Sequence, residues 1–195
     1  MLTFSRSVVL ASQSPRRRAL LKQIGIDFSV QVSDINEEEM SLDMPPTEYA
    51  AGLALRKAEA VACKQDTAAL VIGADTIVVL DGAILNKPAD SAEAQAMLRR
   101  LSGRTHTVYT GVAVVHAPEL TAHCETQKTE VTFRELDDKE ILEYVATGSP
   151  LDKAGSYGIQ DDFGAVFVRN IIGCYYNIVG LPLELLYRML RKVAL

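Results

Sequence analysis

The stretch 68–80 constrains the fold more than any other part of this sequence. It is apolar throughout except for Asp75 and Thr76. A continuous apolar run of this kind is typical of a buried strand. We therefore expect one long buried strand here, or two short ones interrupted at the acid. Asp81-Gly82 then predicts a turn.

Other apolar and periodic segments predict helices that alternate with strands. An apolar run at residues 8–11 is broken by Ser14, which can cap a helix, and by Pro15, which suits a first helical turn. Alternation of this kind indicates an α/β or mixed α+β class, here as one domain over residues 1–195. The long middle strands, expected to be partly exposed, suggest an extended sheet with a cleft between two lobes. Helices are predicted from Pro15 to Gly25, after Thr47 as far as Lys64, and over 91–101, 137–147 and 183–193; the remaining strands are predicted over 105–117, 125–134, 165–171 and 175–179.

Charge and composition restrict the class of partner. The net charge of −5 argues against a general nucleic-acid binder, which normally carries a basic surface, but it permits a small anionic ligand. The three dispersed cysteines fit reduced thiols better than disulfides or a zinc site. No run approaches the roughly 20 apolar residues of a membrane span, and no apolar signal region precedes Ser12. We therefore expect a cytoplasmic protein that does not contact a membrane.

A basic turn follows the first predicted strand. Ser12 and Ser14 precede Arg16, Arg17 and Arg18 where the helix is expected to begin. Arginine is unfavourable beside the positive end of a helix dipole unless an anion is bound there, and helix N-termini attract phosphate. The arginine fork and the serine hydroxyls suit phosphate oxygens. The segment therefore predicts a phosphate site, although the turn alone also fits a solvated basic patch. It is not a Walker loop, because the chain lacks that motif.

Asp75 is the strongest candidate for a catalytic residue. A buried carboxylate without a partner costs several kcal/mol, so it must be paired, hydrogen-bonded, protonated or metal-bound. The alternative is an aspartate that caps a turn between two short strands. We favour the functional interpretation, because the small residues Gly73 and Ala74 would let a ligand approach closely.

Further charged residues fit the same kind of site. Lys57 shares the apolar face of its predicted helix, so it either extends to the surface or points its ammonium into the same cleft as Asp75. Lys87 lies on a stiff loop before a proline. One acid of the run Glu37–Glu39 could help hold magnesium, which usually takes one or two carboxylates plus substrate phosphates; the alternative is a solvated loop. The loop 152–160 contains small residues that suit close approach of its backbone to a ligand.

The order of these motifs resembles the Maf family of nucleotide pyrophosphatases. One motif alone would be weak, but the ordered set spans nearly the whole chain and is highly specific. The matching segments are Leu-Ala-Ser-Gln-Ser-Pro-Arg-Arg (10–17), Gly-Ala-Asp-Thr (73–76), Lys-Pro (87–88), Leu-Ser-Gly (101–103), Asp-Lys-Ala-Gly-Ser-Tyr-Gly-Ile-Gln (152–160) and Val-Gly-Leu-Pro (179–182).

The resemblance implies a fold, a cofactor and roles for particular residues. The fold is two-lobed α/β, related to inosine triphosphate pyrophosphatases, often homodimeric and served by a divalent metal such as Mg²⁺ or Mn²⁺. Asp75 matches the family's proton acceptor and, with Glu37, its metal site. Positions that line the triphosphate and metal pocket are matched by Ser12, Arg16, Arg17, Glu37, Lys57 and Lys87. Substrate preference in the family follows three positions, matched here by Arg16, Thr76 and Gln160.

Two departures from the family pattern concern the base pocket and the metal. Gln160 is followed by Asp161, Asp162 and Phe163 where many relatives carry glycine, and Asn36 stands where relatives often carry an acid. The first affects the expected shape of the base pocket, and the second the expected metal preference. Neither changes Asp75 or the arginine turn.

Three functional hypotheses follow. The first is hydrolysis of dTTP and UTP to the monophosphate and pyrophosphate, because Arg16, Thr76 and Gln160 resemble the branch with that preference. The second is a pyrophosphatase for purine or modified nucleotides such as 7-methyl-GTP, a branch that differs at those positions. The third, from another class, is a nucleotide-binding regulator of cell division without turnover. The complete set of acidic, basic and hydroxyl groups favours an enzyme.

Overall fold

The computed structural model describes residues 4–41, 43–160 and 162–193. Each helix in these ranges is too short or too polar to span a bilayer. The α-helices are α1 (Pro15–Gln23), α2 (Pro46–Ala62), α3 (Ser91–Leu101), α4 (Asp138–Ala146), α5 (Tyr175–Val179) and α6 (Leu183–Val193). The strands are β1 (Ser7–Leu10), β2 (Ser29–Val30), β3 (Ala69–Leu80), β4 (Ala83–Leu85), β5 (Thr105–Ala117), β6 (Thr121–Phe133) and β7 (Val168–Ile172). Short 3₁₀ turns occupy Glu37–Glu39, Ser149–Asp152, Ala154–Ser156 and Asp162–Phe167.

The strands form one mixed sheet, which confirms the predicted α/β class. Neighbouring strands follow the order β2-β1-β3-β5-β6-β7, and β4 pairs with β3. The chain divides into two compact units. The first contains the described residues up to Asp75, Thr110–Gln127 and the described residues from Gly180 onward; the second contains Thr76–Tyr109 and Lys128–Val179. The expected cleft stays a prediction.

The first unit is built on the parallel strands β2, β1 and β3, with α2 packed on β3. Strand β1 pairs in parallel with both neighbours, Leu10 lying opposite Val30 on one side and Ile72 on the other. Gly73 sets the distance to α2. A Cβ at this position would collide with the carbonyl oxygen of Ala54 and lie 2.9 Å from the backbone nitrogen of Ala58. Our expectation that Gly73 admits a ligand was therefore wrong, because helix backbone occupies that space.

The second unit has its own apolar core. Strand β4 is antiparallel to β3, and β7 is antiparallel to β6. The core includes buried residues of α3 and α4 together with Phe133, Tyr144, Tyr157 and Phe167. The ring centroids of Phe133 and Tyr157 are 4.7 Å apart at an interplanar angle of 80°, an edge-to-face contact.

Most predicted elements are confirmed, but residues 175–179 form a helix, not a strand. The buried Asn177 explains the difference. Its side-chain amide donates to the carbonyl of Val108 at 3.0 Å and to the hydroxyl of Thr129 at 2.9 Å. Its backbone N–H donates to the carbonyl of Cys174 at 3.2 Å, which closes a turn. Tertiary hydrogen bonds thus outweigh the β-propensity of the aromatic and β-branched residues in this run.

Three smaller corrections concern strands. The strand predicted over 165–171 begins only at Val168, because Phe167 lies in a 3₁₀ turn and its carbonyl accepts from the backbone of Arg134 at 3.0 Å. Strand β5 was expected to be partly exposed, yet most of it is buried. The short strands β2 and β4 were not predicted. The stretch 68–80 forms one continuous strand from Ala69, which settles the alternative left open by the sequence.

Burial of His106 makes stability depend on pH. The side chain is 2% exposed, and burial lowers its pKa from 6.5 to about 4. Above pH 6.5 the ring is neutral in both the folded and the unfolded protein, so it does not change stability. As pH falls toward 4, the ring takes up a proton in the unfolded chain but not in the folded protein, and this stabilises the unfolded state. Between pH 7 and pH 4 we therefore expect the free energy of unfolding to fall by about 3 kcal/mol less in His106→Gln than in the wild type.

Urea denaturation at several pH values measures this difference. Carboxyl groups with lowered pKa values, among them Glu119 and Glu140, destabilise both proteins alike in acid and cancel in the comparison. Equal falls in the free energy of unfolding for the two proteins would contradict the prediction, since they would mean that folded His106 titrates normally.

Candidate active site

A buried ion pair joins α2 to β3. The Lys57 Nζ lies 2.6 Å from Asp75 Oδ1, and the two side chains are only 11% and 9% exposed. Side chains two positions apart on a strand share a face, so Asp75 is on the same face of β3 as Gly73, where α2 packs. Lys57 lies on the buried stripe of α2. The Lys57 ammonium is therefore directed at Asp75 and does not extend to the surface, which was one of the two positions predicted for it.

Glu37 reaches the same ammonium. Its Oε1 lies 2.8 Å from Lys57 Nζ, and its side chain is 49% exposed. The turn that carries it is held on α2 in two ways. Arg56 pairs with Glu39 at 2.7 Å, and Met40 fills the space beside Gly52, where a Cβ would lie 2.8 Å from the methionine methyl carbon. We call Glu37, Lys57 and Asp75 the charged trio.

The arginine turn belongs to the same unit as the charged trio. Ser14 caps α1 by accepting from the backbone N–H of Arg17 at 3.4 Å, as predicted. The hydroxyl of Ser12 accepts from the backbone N–H of Ser14 at 3.2 Å and from an Arg17 guanidinium nitrogen at 3.3 Å. Arg17 Nε donates to the carbonyl of Gly180 at 2.8 Å, so its side chain is fixed from two sides.

Arg17 in the arginine turn interacts electrostatically with Asp75 and Glu37 of the charged trio. Burial is the largest influence and lowers the pKa of its guanidinium, and Arg16 acts in the same direction. Asp75 and Glu37 raise that pKa. Two partly buried arginines side by side repel each other, so an anion bound beside them would relieve the repulsion. This is the electrostatic character expected of a phosphate site.

The residues predicted for the site divide between the two units. Thr76 and Gln160 are partly buried and Lys87 is exposed. The backbone carbonyl of Asn86, next to Lys87, accepts from the backbone N–H of Gly155 at 3.3 Å. Those in the first unit are Ser12, Arg16, Arg17, Glu37, Lys57 and Asp75; those in the second are Thr76, Lys87 and Gln160.

Tyr49 is a neighbour of the charged trio that sequence reasoning missed. Its side chain is buried on α2, and burial, followed by Asp75 and Glu37, raises the pKa of its phenol. Tyr49 precedes Leu53 by four residues and Lys57 by eight, so all three share one helical face. That spacing was available in the sequence and could have identified Tyr49.

The donor set around Lys57 fits a divalent cation. Glu37 and Asp75 both contact the Lys57 ammonium, so their carboxylate oxygens surround a positive charge. Magnesium usually takes one or two carboxylates and completes its shell with water and substrate phosphates. Among the described residues no group of three or more candidate ligands occurs, so Glu37 and Asp75 would need oxygens from the substrate or water.

Comparison with known proteins identifies the family. A family model described as Maf-like protein matches residues 7–193. The chain belongs to the Maf family. Among curated relatives, the Salinibacter ruber protein named dTTP/UTP pyrophosphatase is 52% identical over 191 residues, which cover 98% of this chain and 93% of the relative. A Moorella thermoacetica protein of the same name is 54% identical over 176 residues, covering 90% and 89%.

A solved structure supports the fold of this Maf protein. The HAM1 protein from Coxiella burnetii is similar with a TM-score of 0.52 and 18% sequence identity, and the match covers 96% of this chain and 99% of that one. At this identity the likeness concerns the fold alone. It agrees with the mixed α/β architecture described above.

Proposed function

We propose that this Maf-family chain is a nucleoside triphosphate pyrophosphatase that hydrolyses dTTP and UTP to the monophosphate and pyrophosphate. The observation that carries the proposal is the buried carboxylate of Asp75, 2.6 Å from Lys57 Nζ, in the same unit as the arginine turn. Relatives with about half of their residues identical bear the name dTTP/UTP pyrophosphatase, which supports the choice of substrate.

The basic and hydroxyl groups would bind the triphosphate. Arg16 and Arg17 offer planar donors to phosphate oxygens, and the Ser12 hydroxyl can donate its hydrogen because its hydrogen bonds to Ser14 and Arg17 use only its oxygen as acceptor. Lys57 and Lys87 would add positive charge. Groups fixed before the substrate arrives stabilise developing charge most effectively, and Arg17 is fixed in this way.

Asp75 would act as the proton acceptor. A water oxygen forms a bond to the α-phosphorus, the bond from that phosphorus to the bridging oxygen breaks, and pyrophosphate leaves with the bridging oxygen. The Asp75 carboxylate takes the proton that the water loses. Glu37 and Asp75 would hold a Mg²⁺ or Mn²⁺ ion, which, when bound, neutralises phosphate charge and lowers the pKa of coordinated water.

Base selection is assigned to Arg16, Thr76 and Gln160, the positions that resemble the dTTP and UTP branch of the family. Gln160 has an amide that can both donate to and accept from a pyrimidine edge. The neighbouring Asp161 lies outside the described residues, so its expected effect on the base pocket stays a prediction. Cytoplasmic localisation and a homodimer are also parts of this proposal.

Pyrophosphate release from a nucleotide panel tests the substrate assignment. The panel is dTTP, UTP, CTP, ATP, GTP and 7-methyl-GTP, each with Mg²⁺ or Mn²⁺. We expect dTTP and UTP to be cleaved with the highest kcat/KM. Preference for 7-methyl-GTP would retain the enzyme but overturn the roles of Arg16, Thr76 and Gln160. Binding without turnover of any nucleotide would instead identify the regulator of cell division.

A further inference from the structure

We propose that His106 is a positioning residue for base selection and acts through Tyr157 on the loop that carries Gln160. The inference rests on the proposed function, since it concerns the same substrate. All the residues involved belong to the second unit. We define the base loop as residues 158–160 and 162–164, the described residues around Gln160.

The ends of the base loop are held together by backbone contact. A Cβ on Gly164 would lie 2.8 Å from the carbonyl oxygen of Gly158 and 2.8 Å from the hydroxyl of Tyr144. Only glycine therefore allows this approach without a shift of Gly158 or Tyr144. Gln160 follows Gly158 by two residues, so a shift of Gly158 would displace the backbone that carries Gln160.

Tyr157 immediately precedes Gly158, and His106 holds it in place. Its hydroxyl and His106 Nε2 are joined by a hydrogen bond of 2.8 Å, and the two residues are 5% and 2% exposed. Phe133 packs edge-to-face against both rings, with centroids 5.0 Å from His106 and 4.7 Å from Tyr157. The ring of His106 makes no other hydrogen bond within the described part of the chain, and its Nδ1 is buried there without a partner. Its hydrogen bond to Tyr157 is thus the polar contact that the His106 ring makes in this part of the fold.

The backbone before Tyr157 is also tightly constrained. The N–H of Gly155 donates to the carbonyl of Asn86 at 3.3 Å, which ties this segment to the loop of Lys87. Ser156 has a φ of +62°, a left-handed conformation that is unfavourable for a non-glycine residue and persists only where surrounding contacts impose it. The hydrogen bond that holds Tyr157 joins two side chains, those of Tyr157 and His106. Removing the Tyr157 hydroxyl therefore breaks it without changing this backbone.

The hydrogen bond stays the same over the pH range in which activity would be measured. Burial lowers the pKa of His106 to about 4 and raises the pKa of Tyr157 above its ordinary value, with Tyr144 adding to the increase. Both groups are therefore neutral between about pH 5 and pH 9. A discrimination that depends on this pair should be constant across that range.

Tyr157→Phe removes the hydroxyl and keeps the ring. A hydrogen bond contributes about 1 kcal/mol, so we expect the ratio of kcat/KM for dTTP to that for CTP to fall by about fivefold. The change should appear mainly in KM, because Asp75 and the arginine turn are untouched. His106→Phe should give the same loss, and the double variant should lose no more than either single one, since both remove one hydrogen bond.

Two further variants make the result decisive. Gln160→Ala measures how much of the preference for dTTP over CTP depends on Gln160. When Tyr157→Phe is combined with it, the ratio should fall little further. Val145→Ala is the stability control, because Val145 is buried in the same core on α4, and its truncation lowers stability without removing a polar contact. We expect Val145→Ala to leave the dTTP-to-CTP ratio unchanged.

The outcomes separate this inference from the proposed function. If Gln160→Ala lowers the ratio but Tyr157→Phe and His106→Phe do not, His106 has no positioning role and the proposed function stands. If Val145→Ala lowers the ratio as much as Tyr157→Phe, the effect reflects stability alone and the inference is overturned. If the wild type does not prefer dTTP to CTP, the substrate assignment fails, and the inference fails with it.

Discussion

Asp75→Asn should lower kcat for dTTP by about 10²- to 10⁴-fold, the range typical for loss of a general base. The amide keeps the size and shape of the carboxylate but cannot accept the proton of the attacking water. Lys57 keeps Glu37 as an ion-pair partner at 2.8 Å, so the variant should remain folded. A steady-state assay of pyrophosphate release, with circular dichroism to confirm the fold, measures the effect.

Nucleotide binding and a matched variant provide the controls for Asp75→Asn. Calorimetric titration with an uncleavable α,β-methylene analogue of dTTP should show that binding is retained. Asp34→Asn makes the same chemical change at an exposed carboxylate that pairs with Lys64 at 3.0 Å and has no described ion pair with Lys57. It should keep kcat within about threefold of wild type, as expected for a partly exposed salt bridge. Unchanged turnover in Asp75→Asn would exclude Asp75 as the proton acceptor.

Gly73→Ala should disturb both stability and catalysis. The new Cβ would collide with the carbonyl of Ala54, so α2 would have to move away from β3. Overpacking of a core costs about 1–3 kcal/mol, and a collision with backbone belongs near the upper end, so we expect about 3 kcal/mol. Moving α2 also moves Lys57 relative to Asp75, and a displacement of about 1 Å can lower kcat/KM by about a hundredfold.

Gly82→Ala is the control for this second prediction. Gly82 lies in the turn that follows β3, and a Cβ there would meet nothing within 4 Å. Its φ of +79° means that alanine costs roughly 1–2 kcal/mol through backbone strain alone. Urea denaturation should therefore show a smaller loss for Gly82→Ala, and its kcat/KM for dTTP should be unchanged. Equal stability and activity in Gly73→Ala and wild type would contradict the packing of α2 described above.

Local rules were sufficient where one chemical signal dominated. The apolar run of β3, the cap at Ser14 and the apolar stripe of α2 each specified an element, and the structure confirms all three. An ion pair was one of four possibilities expected for Asp75, besides a hydrogen bond, protonation and a bound metal, because a buried carboxylate without a partner is costly. Helical spacing placed Lys57 on the apolar face of its helix but did not identify it as the partner of Asp75.

What failed in the sequence analysis depended on contacts between distant segments. Gly73 was interpreted as space for a ligand, but which element fills that space depends on where α2 packs. The helix at 175–179 depends on hydrogen bonds from Asn177 to Val108 and Thr129, 69 and 48 positions away in sequence. The hydrogen bond between His106 and Tyr157 spans 51 positions and follows from no local pattern.

Hydrolysis of dTTP in ¹⁸O-labelled water, followed by mass spectrometry of the products, tests the central claim most directly. Attack of water on the α-phosphorus predicts dTMP that carries the label and pyrophosphate that does not. Label in pyrophosphate would place the attack on the β-phosphorus, and formation of dTDP with inorganic phosphate would mean a different reaction. Either result, or no turnover of dTTP, would contradict the assignment of this chain as a dTTP and UTP pyrophosphatase.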